Sequence, residues 1–386
     1  MQRHFRRARA FLRREWQAMS KWLSRGVLSW NVVVPVLAVV VLAGIWGEKL
    51  GPALVAVAAL FLVGAVVAAV HHAEVVAHRV GEPFGSLILA AAVTIIEVAL
   101  IVALMTSGGN EAATLARDTA FAALMITTNG IAGLSLLLGS RRYGVTLFNA
   151  EGAGAALATV TTVATLSLVL PAFTTGHPGR EFTRSQLAFT AIATLFVYLL
   201  FVFTQTVRHR DFFLPIAQRG QKRAFEDESH ADPPTRRQAL SSLVLLLCAL
   251  VAVVGLAEEE SPAVEHAVMV AGLPQSFVGV IIAALVLLPE TLAAARAARK
   301  GRIQTSLNLA YGSAMASIGL TIPVIALASV WLKGPLVLGL GAVQLVLLAL
   351  TVVISVLTVV PGRATRLQGE VHLVLLAAYV FLSISP

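Results

Sequence analysis

A chain of 386 residues that is 58% hydrophobic and only 13% charged holds too much apolar side chain for a soluble domain, in which about half of the residues are apolar and about a quarter charged. Lipid is the expected solvent for most of it, and the apolar runs are long rather than short and alternating, which excludes a β-barrel. A net charge of +9 would suit nucleic acid, but the charge flanks apolar runs and no soluble domain accompanies it, so nucleic acid is excluded as a partner and a lipid bilayer is expected.

In chain order, residues 1–29 are basic and interrupted by Phe5, Phe11, Leu12, Trp16 and Trp22. The pattern predicts a helix lying on anionic lipid rather than a cleaved leader. Eleven apolar runs of spanning length follow, at 30–48, 52–79, 83–106, 117–139, 149–172, 185–207, 239–257, 272–298, 304–332, 334–360 and 366–385. Cys248, the single cysteine, falls within one of them and is expected to be an apolar filler. The one long polar connection, 208–238, contains Glu226-Asp227-Glu228 and Pro233-Pro234. It reads as a linker, with the acidic stretch 226–232 solvated. With the N-terminus in the cytoplasm, every Lys and Arg except Lys49, Arg117, Arg180, Arg184 and Lys333 lies on the cytoplasmic side. This is the asymmetry of the positive-inside rule. It predicts a multi-pass protein of the inner membrane with an external C-terminus.

Laying Glu97 over Glu290 aligns Phe84 with Phe277, Ile88 with Ile281, Ala90-Ala91 with Ala283-Ala284 and Val93 with Val286. Aliphatic matches between apolar helices are cheap, but carboxylates inside spans are rare. The two spans run in opposite directions, so the repeat is inverted, the usual construction of secondary transporters. A charge at mid-span costs about 2.5–3.5 kcal/mol on insertion scales. No Lys or Arg lies at the centre of a span to act as a fixed partner, which leaves a proton or a metal ion. Removal from water favours the protonated form of a carboxyl, a second carboxylate nearby does so further, and a hard cation favours the ionised forms. Competition between cation and proton for the same oxygens couples their movements. The alternative is a pair of permanently protonated carboxyls bonded between helices. Ca²⁺ takes six to eight oxygens, so neutral helpers are needed. Candidates are Thr94, one turn before Glu97, Asn129 within Thr127-Thr128-Asn129-Gly130, and Ser313 and Ser317 in the small-residue stretch after Gly312. Helix packing is the other use of such stretches.

These residues resemble a known family. Gly81-Glu82-Pro83-Phe84-Gly85-Ser86 leading to Thr94-Ile95-Ile96-Glu97, with Asn129-Gly130-Ile131 and Gly133-Leu134-Ser135, is similar to the first signature of bacterial calcium/proton antiporters. Phe277-Val278-Gly279 leading to Leu288-Pro289-Glu290, and then Asn308 to Pro323, is similar to the second. The superfamily is that of the cation/calcium antiporters, and the branch looks ChaA-like. The resemblance implies an all-α polytopic membrane protein, with one extra helix (30–51) before two inverted five-helix repeats (52–207 and 239–386). It implies Glu97 and Glu290 as carriers that exchange cytoplasmic Ca²⁺, and Na⁺ or K⁺, for protons by alternating access, with no cofactor. Many relatives carry Gly-Asn before each glutamate and Gln in the second small-residue motif. Here Val93-Thr94, Val286-Leu287 and Ala316 stand in those places, which moves the expectation toward Na⁺ or K⁺. A monovalent cation/proton antiporter with little Ca²⁺ activity and a Na⁺/Ca²⁺ exchanger stay open. The inverted repeat disfavours a cation channel, and no hydrolase motif occurs in the spans, so an enzyme is not expected.

Further carboxylates and histidines are vestibule candidates. His71, Glu74 and His78 recur along one helix face near the cytoplasmic end of the second span, where they would attract cations or sense pH; zinc ligation and a plain solvated helix end are the alternatives. Glu258, Glu259, Glu260 and Glu265 lie at the opposite membrane face and would focus cations at the outer mouth. Glu151, opening the fifth span, is a further candidate.

Overall fold

In hydrocarbon every backbone N–H and C=O must be satisfied within the segment that carries it, so long aliphatic runs become helices. The computed structural model describes residues 29–48, 51–81, 84–107, 113–216, 234–331 and 335–385. The expected basic helix over 1–28 and the acidic stretch 226–232 lie outside the described residues.

The first helices are α1 (Trp30–Ile45), α2 (Pro52–Val80) and α3 (Phe84–Ser107). α4 (Leu115–Met125) passes through a π-turn, Ile126–Ile131, into α5 (Ala132–Tyr143). α6 (Ala150–Ala164) begins at Asn149, whose side chain accepts from the N–H groups of Glu151 and Gly152. α7 (Arg184–Phe203) begins at a Thr183–Gln186 capping box. Such caps satisfy the N–H groups a helix start leaves free. α8 (Arg236–Val270) follows the polar connection. α9 (Ser276–Val286) and α10 (Leu288–Arg299) meet at Leu287, and α11 (Ile303–Gly319) and α12 (Thr321–Ala328) meet at Leu320. α13 (Ala342–Val359) and α14 (Arg366–Ile384) complete the chain. Two short strands join the helices: β1 (Val145–Leu147) pairs antiparallel with β2 (Arg363–Thr365), with Thr146 opposite Ala364.

Eight helical stretches are long and apolar enough to cross a bilayer, and α9 with α10, bent by 52°, makes a ninth. Two shorter apolar stretches, Trp30–Ile45 and Ala90–Ala103, stand where the first and third expected spans fall. The 16 residues of α1 rise about 24 Å, less than the hydrocarbon thickness of about 30 Å. Among the described residues, length and hydropathy thus support eight to nine spans, short of the eleven expected.

The buried side chains form two cores. The first joins α1, α2, α3 and α8, with α2 packed along α8 and Ala65, Ala69, Ala249, Ala252 and Val253 among its buried side chains. The second joins α4–α7 with α10–α14 around Phe121, Leu168 and Tyr311. α3 and α9 face both. Ile96 and Leu100 pack in the first core and Val98 against the second. Val278 and Ile282 likewise belong to the first, Val280 and Ala283 to the second. The seam between the cores is where a helix can carry a polar residue without exposing it to lipid.

Candidate functional site

Glu97 on α3 and Glu290 on α10 sit at that seam, 1% and 8% exposed, within electrostatic reach of one another. Their helices differ. α3 runs unbroken through Glu97. Pro289 cannot continue α9, because its ring removes an N–H donor and clashes with the preceding turn. The chain breaks at Leu287 (φ −86°, ψ 1°), and Glu290 falls in the first turn of a new helix. Free N–H groups and the positive end of the helix dipole there favour a carboxylate. Two further irregularities lie beside the same pair: the π-turn Ile126–Ile131 packs against α10, and α12, after the break at Leu320, packs against α3.

Thr321, the first residue of α12, donates from Oγ1 to Glu97 Oε2 at 3.0 Å. Ser317, one turn earlier on α11, is a buried polar neighbour of Glu97. Glu97 Oε1, Glu290 Oε2 and Thr94 Oγ1 are buried without a hydrogen-bond partner in the protein. A buried unsatisfied polar group costs about 1–3 kcal/mol, and a proton or cation held by these oxygens would offset that cost. Among the described residues no three of His, Cys, Asp and Glu converge on a metal position, so a cation here would be held by two carboxylates and neutral oxygens.

A cavity of about 520 Å³ reaches Glu290. Its walls include His78 and Gly81 at the end of α2, Gln205 beyond α7, and Asn308 and Ser313 on α11. Arg79, Arg208 and Arg302 stand at the same ends of these helices, so the cavity opens toward the basic end of the molecule. Asn308 is fixed at its wall: it donates to Phe213 O at 2.7 Å and accepts from Gln304 Nε2 at 2.9 Å.

Thus Glu97, Glu290, Thr94, Ser313 and Ser317 gather around the seam and its cavity. Asn129 does not join them. Its Oδ1 lies 2.9 Å from His372 Nδ1 and its Nδ2 donates to Thr351 at 2.9 Å, so it faces α13 and α14. Both ends of its amide are thus engaged away from the glutamate pair. Sequence reasoning missed Thr321 and His372. The signal for Thr321 was available, because the alignment that lays Glu97 over Glu290 also lays Thr128 over Thr321. No such signal exists for His372.

The vestibule candidates divide. His78 lines the cavity, and Glu74, exposed, is in electrostatic reach of Glu290 and Arg296. His71 is drawn away to α1, with its Nε2 3.0 Å from Asn31 Nδ2 and its ring against Trp30. The shared face of His71, Glu74 and His78 is thus split. Glu151 is exposed in the first turn of α6 and is not part of the cavity wall. The outer carboxylates do not converge either. Glu258 is exposed beside an apolar groove with Leu42 and Trp46, Glu259 accepts from Gly47 N at 3.1 Å, and Glu260 is buried. Successive residues on a helix point about 100° apart, so three in a row cannot share one mouth. The side chain of Glu265 lies outside the described residues.

The model of the sodium/calcium exchanger protein family matches residues 50–207 and 241–385. The chain is 45% identical over 365 residues to an ionic transporter, y4hA, of Sinorhizobium fredii, covering 92% of this chain and 96% of the relative. It is 34% identical over 354 residues to the sodium-potassium/proton antiporter ChaA of Escherichia coli, covering 91% and 94%. Among solved structures it shares the fold of YfkE, with a TM-score of 0.67 at 18% identity over 92% of this chain and 99% of that one. It also shares the fold of the H⁺/Ca²⁺ exchanger CAX, with a TM-score of 0.66 at 16% identity over 92% and 91%. The chain is a multi-pass membrane protein of the sodium/calcium exchanger protein family, within the cation/calcium antiporter superfamily.

Proposed function

We propose that the protein is a cation/proton antiporter of the inner membrane that carries Na⁺ or K⁺, and Ca²⁺, in exchange for protons at the Glu97–Glu290 pair. The observation that supports this most is the pair itself: two carboxyls buried at one seam, each with an oxygen that has no partner in the protein. One of them stands on a cavity that reaches in from the basic end. With that end in the cytoplasm, the structure faces inward. Cations enter past His78, Gln205 and Asn308, displace the protons, and leave outward once the seam opens on the other side. The same two carboxylates hold either protons or cation, and that exclusion is the coupling. No covalent bond is made or broken, so the chain is read as a transporter without enzyme activity or cofactor.

The choice of cation rests on the helper oxygens. Thr94 supplies a hydroxyl where many relatives have an amide, Ser317 and Thr321 add hydroxyls beside Glu97, and hydroxyls suit a site that does not hold Ca²⁺ tightly. The name of ChaA, a sodium-potassium/proton antiporter, points the same way, while YfkE and CAX are named for Ca²⁺ and protons. The test uses purified protein in proteoliposomes with a trapped pH dye, adding Na⁺, K⁺ and Ca²⁺ separately. Proton movement with Na⁺ or K⁺, and a smaller response to Ca²⁺, is expected. Cation uptake with no proton movement would replace this reading with a sodium/calcium exchange.

Two further results are expected. Thr94→Val and Thr321→Val each raise the apparent cation KM about threefold to tenfold, the loss of one hydrogen bond or neutral ligand, with maximal rate changed less. Unchanged KM in both would place the ligand field elsewhere. A reporter active only in the cytoplasm, fused after Pro386, is expected to be silent; strong activity there would contradict the external C-terminus.

A further inference from the structure

Asn129, Thr351, Thr358 and His372 form a closed polar cluster in the apolar second core, each at most 3% exposed. Thr128 Oγ1 donates to Leu124 O at 2.6 Å, so its oxygen can only accept from Asn129 Nδ2, 3.4 Å away. That fixes the amide: the nitrogen faces Thr128 and Thr351, and Oδ1 faces His372 Nδ1 at 2.9 Å. The proton of the ring must then sit on Nδ1, and Nε2 accepts from Thr358 Oγ1 at 3.2 Å. Room for this arrangement is built in. A Cβ at Gly133 would lie 2.8 Å from His372 Cβ and 3.0 Å from Gly369 O, so a bare helix surface on α5 is what lets α14 approach closely enough at His372.

Asn129 lies in the π-turn, which packs against α10, the helix of Glu290. A π-turn holds one more residue than its hydrogen bonds favour, and such turns recur at functional sites. Its Thr128 matches, across the repeat, the Thr321 that bonds Glu97. We propose that His372, as its Nδ1–H tautomer, is a positioning residue that holds Asn129 and through it fixes the π-turn opposite Glu290. Asn129 is thereby a tether and not a cation ligand, and the last two helices, which carry no acidic residue of the site, set the geometry of the cation pair. The effect on transport rests on the antiport reading above; the tautomer does not.

The experiment compares His372→Asn, His372→Gln and His372→Leu in proteoliposomes. Asparagine places an N–H where Nδ1 stands, and glutamine places one only where Nε2 stands. His372→Asn is expected to keep the cation KM within about twofold, while His372→Gln and His372→Leu raise it about tenfold, the loss of one buried hydrogen bond. A structural role alone would order the variants by thermal stability instead. Glutamine transporting like the parent, or asparagine as defective as leucine, overturns the proposal. Should His372→Asn fail to fold, a double-mutant cycle of Asn129→Ser with His372→Gln decides: coupling of the two effects on KM supports the tether, and additivity removes it. Independently of transport, ¹⁵N NMR of histidine-labelled protein in lipid reads the tautomer. A protonated Nδ1 beside an unprotonated Nε2 is expected, and the reverse overturns the proposal even where antiport is intact. A protein with that tautomer but no proton movement would leave the tether standing and remove the antiport reading.

Discussion

Glu97→Gln and Glu290→Gln are each expected to lower cation-dependent proton movement by about a hundredfold or more, the scale set by removing a group that transfers the proton, while leaving the protein folded. Glutamine keeps the volume and the hydrogen-bonding shape of glutamic acid. Glu97→Gln can still accept from Thr321, as the carboxyl does at 3.0 Å, and an amide needs no charge partner at the seam. What it cannot do is alternate between a proton and a cation. The measurement is dye-reported proton flux in proteoliposomes, with thermal unfolding in detergent as the check on folding. A pair of carboxyls serving only to bond helices together would let both variants transport at the parental rate.

The second large effect concerns the fold around the cavity. A Cβ at Gly152 would lie 2.2 Å from Phe212 O and 2.8 Å from Phe212 C. The obstacle is backbone and cannot swing aside, so the 3₁₀ turn Arg210–Phe213 must lift off α6. Gly152→Leu is expected to cost about 1–3 kcal/mol, the usual range for overpacking. It should also disturb transport, because Phe213 O holds Asn308 at the cavity wall. Gly154→Ala is the control: its nearest neighbour, Val359 Cγ1, is 3.9 Å away, and stability should be unchanged or raised by up to about 1 kcal/mol through helix propensity. Equal stability of the two variants, read by thermal unfolding in detergent, would mean that the turn is not docked as described.

What was legible in the sequence was what membranes make expensive. Glu97 and Glu290 stood out because a carboxyl in an aliphatic run has few uses, and the helical class followed from run length alone. The break before Glu290 was not read, since 272–298 passed as one apolar run, although Pro289 carries its physical cause. Thr321 was harder to see, because its partner is 224 positions away and threonine is cheap in a membrane helix, where its hydroxyl bonds the preceding turn, as Thr127 and Thr291 do. Asn129 was misplaced for a related reason. Spacing within one helix says which residues share a face, but not which neighbouring helix that face meets, and His372 is 243 positions away. His71, Glu74 and His78 show the same limit from the other side: they recur on one face, yet α1 claims His71 through Asn31. The shortness of α1 could not be read from hydropathy, because Trp46, apolar in composition, sits beyond the helix end.

The central claim is that cation and protons compete for the same two carboxyls, and it can be measured without a membrane. Purified protein in weakly buffered detergent, at a pH where it binds protons, is mixed with Na⁺, K⁺ or Ca²⁺, and released protons are counted with an indicator dye while cation binding is followed by calorimetry. Proton release that saturates together with cation binding, and that vanishes in the Glu97→Gln, Glu290→Gln double variant, is the predicted result. Cation binding that saturates with no proton release in the parent would contradict it.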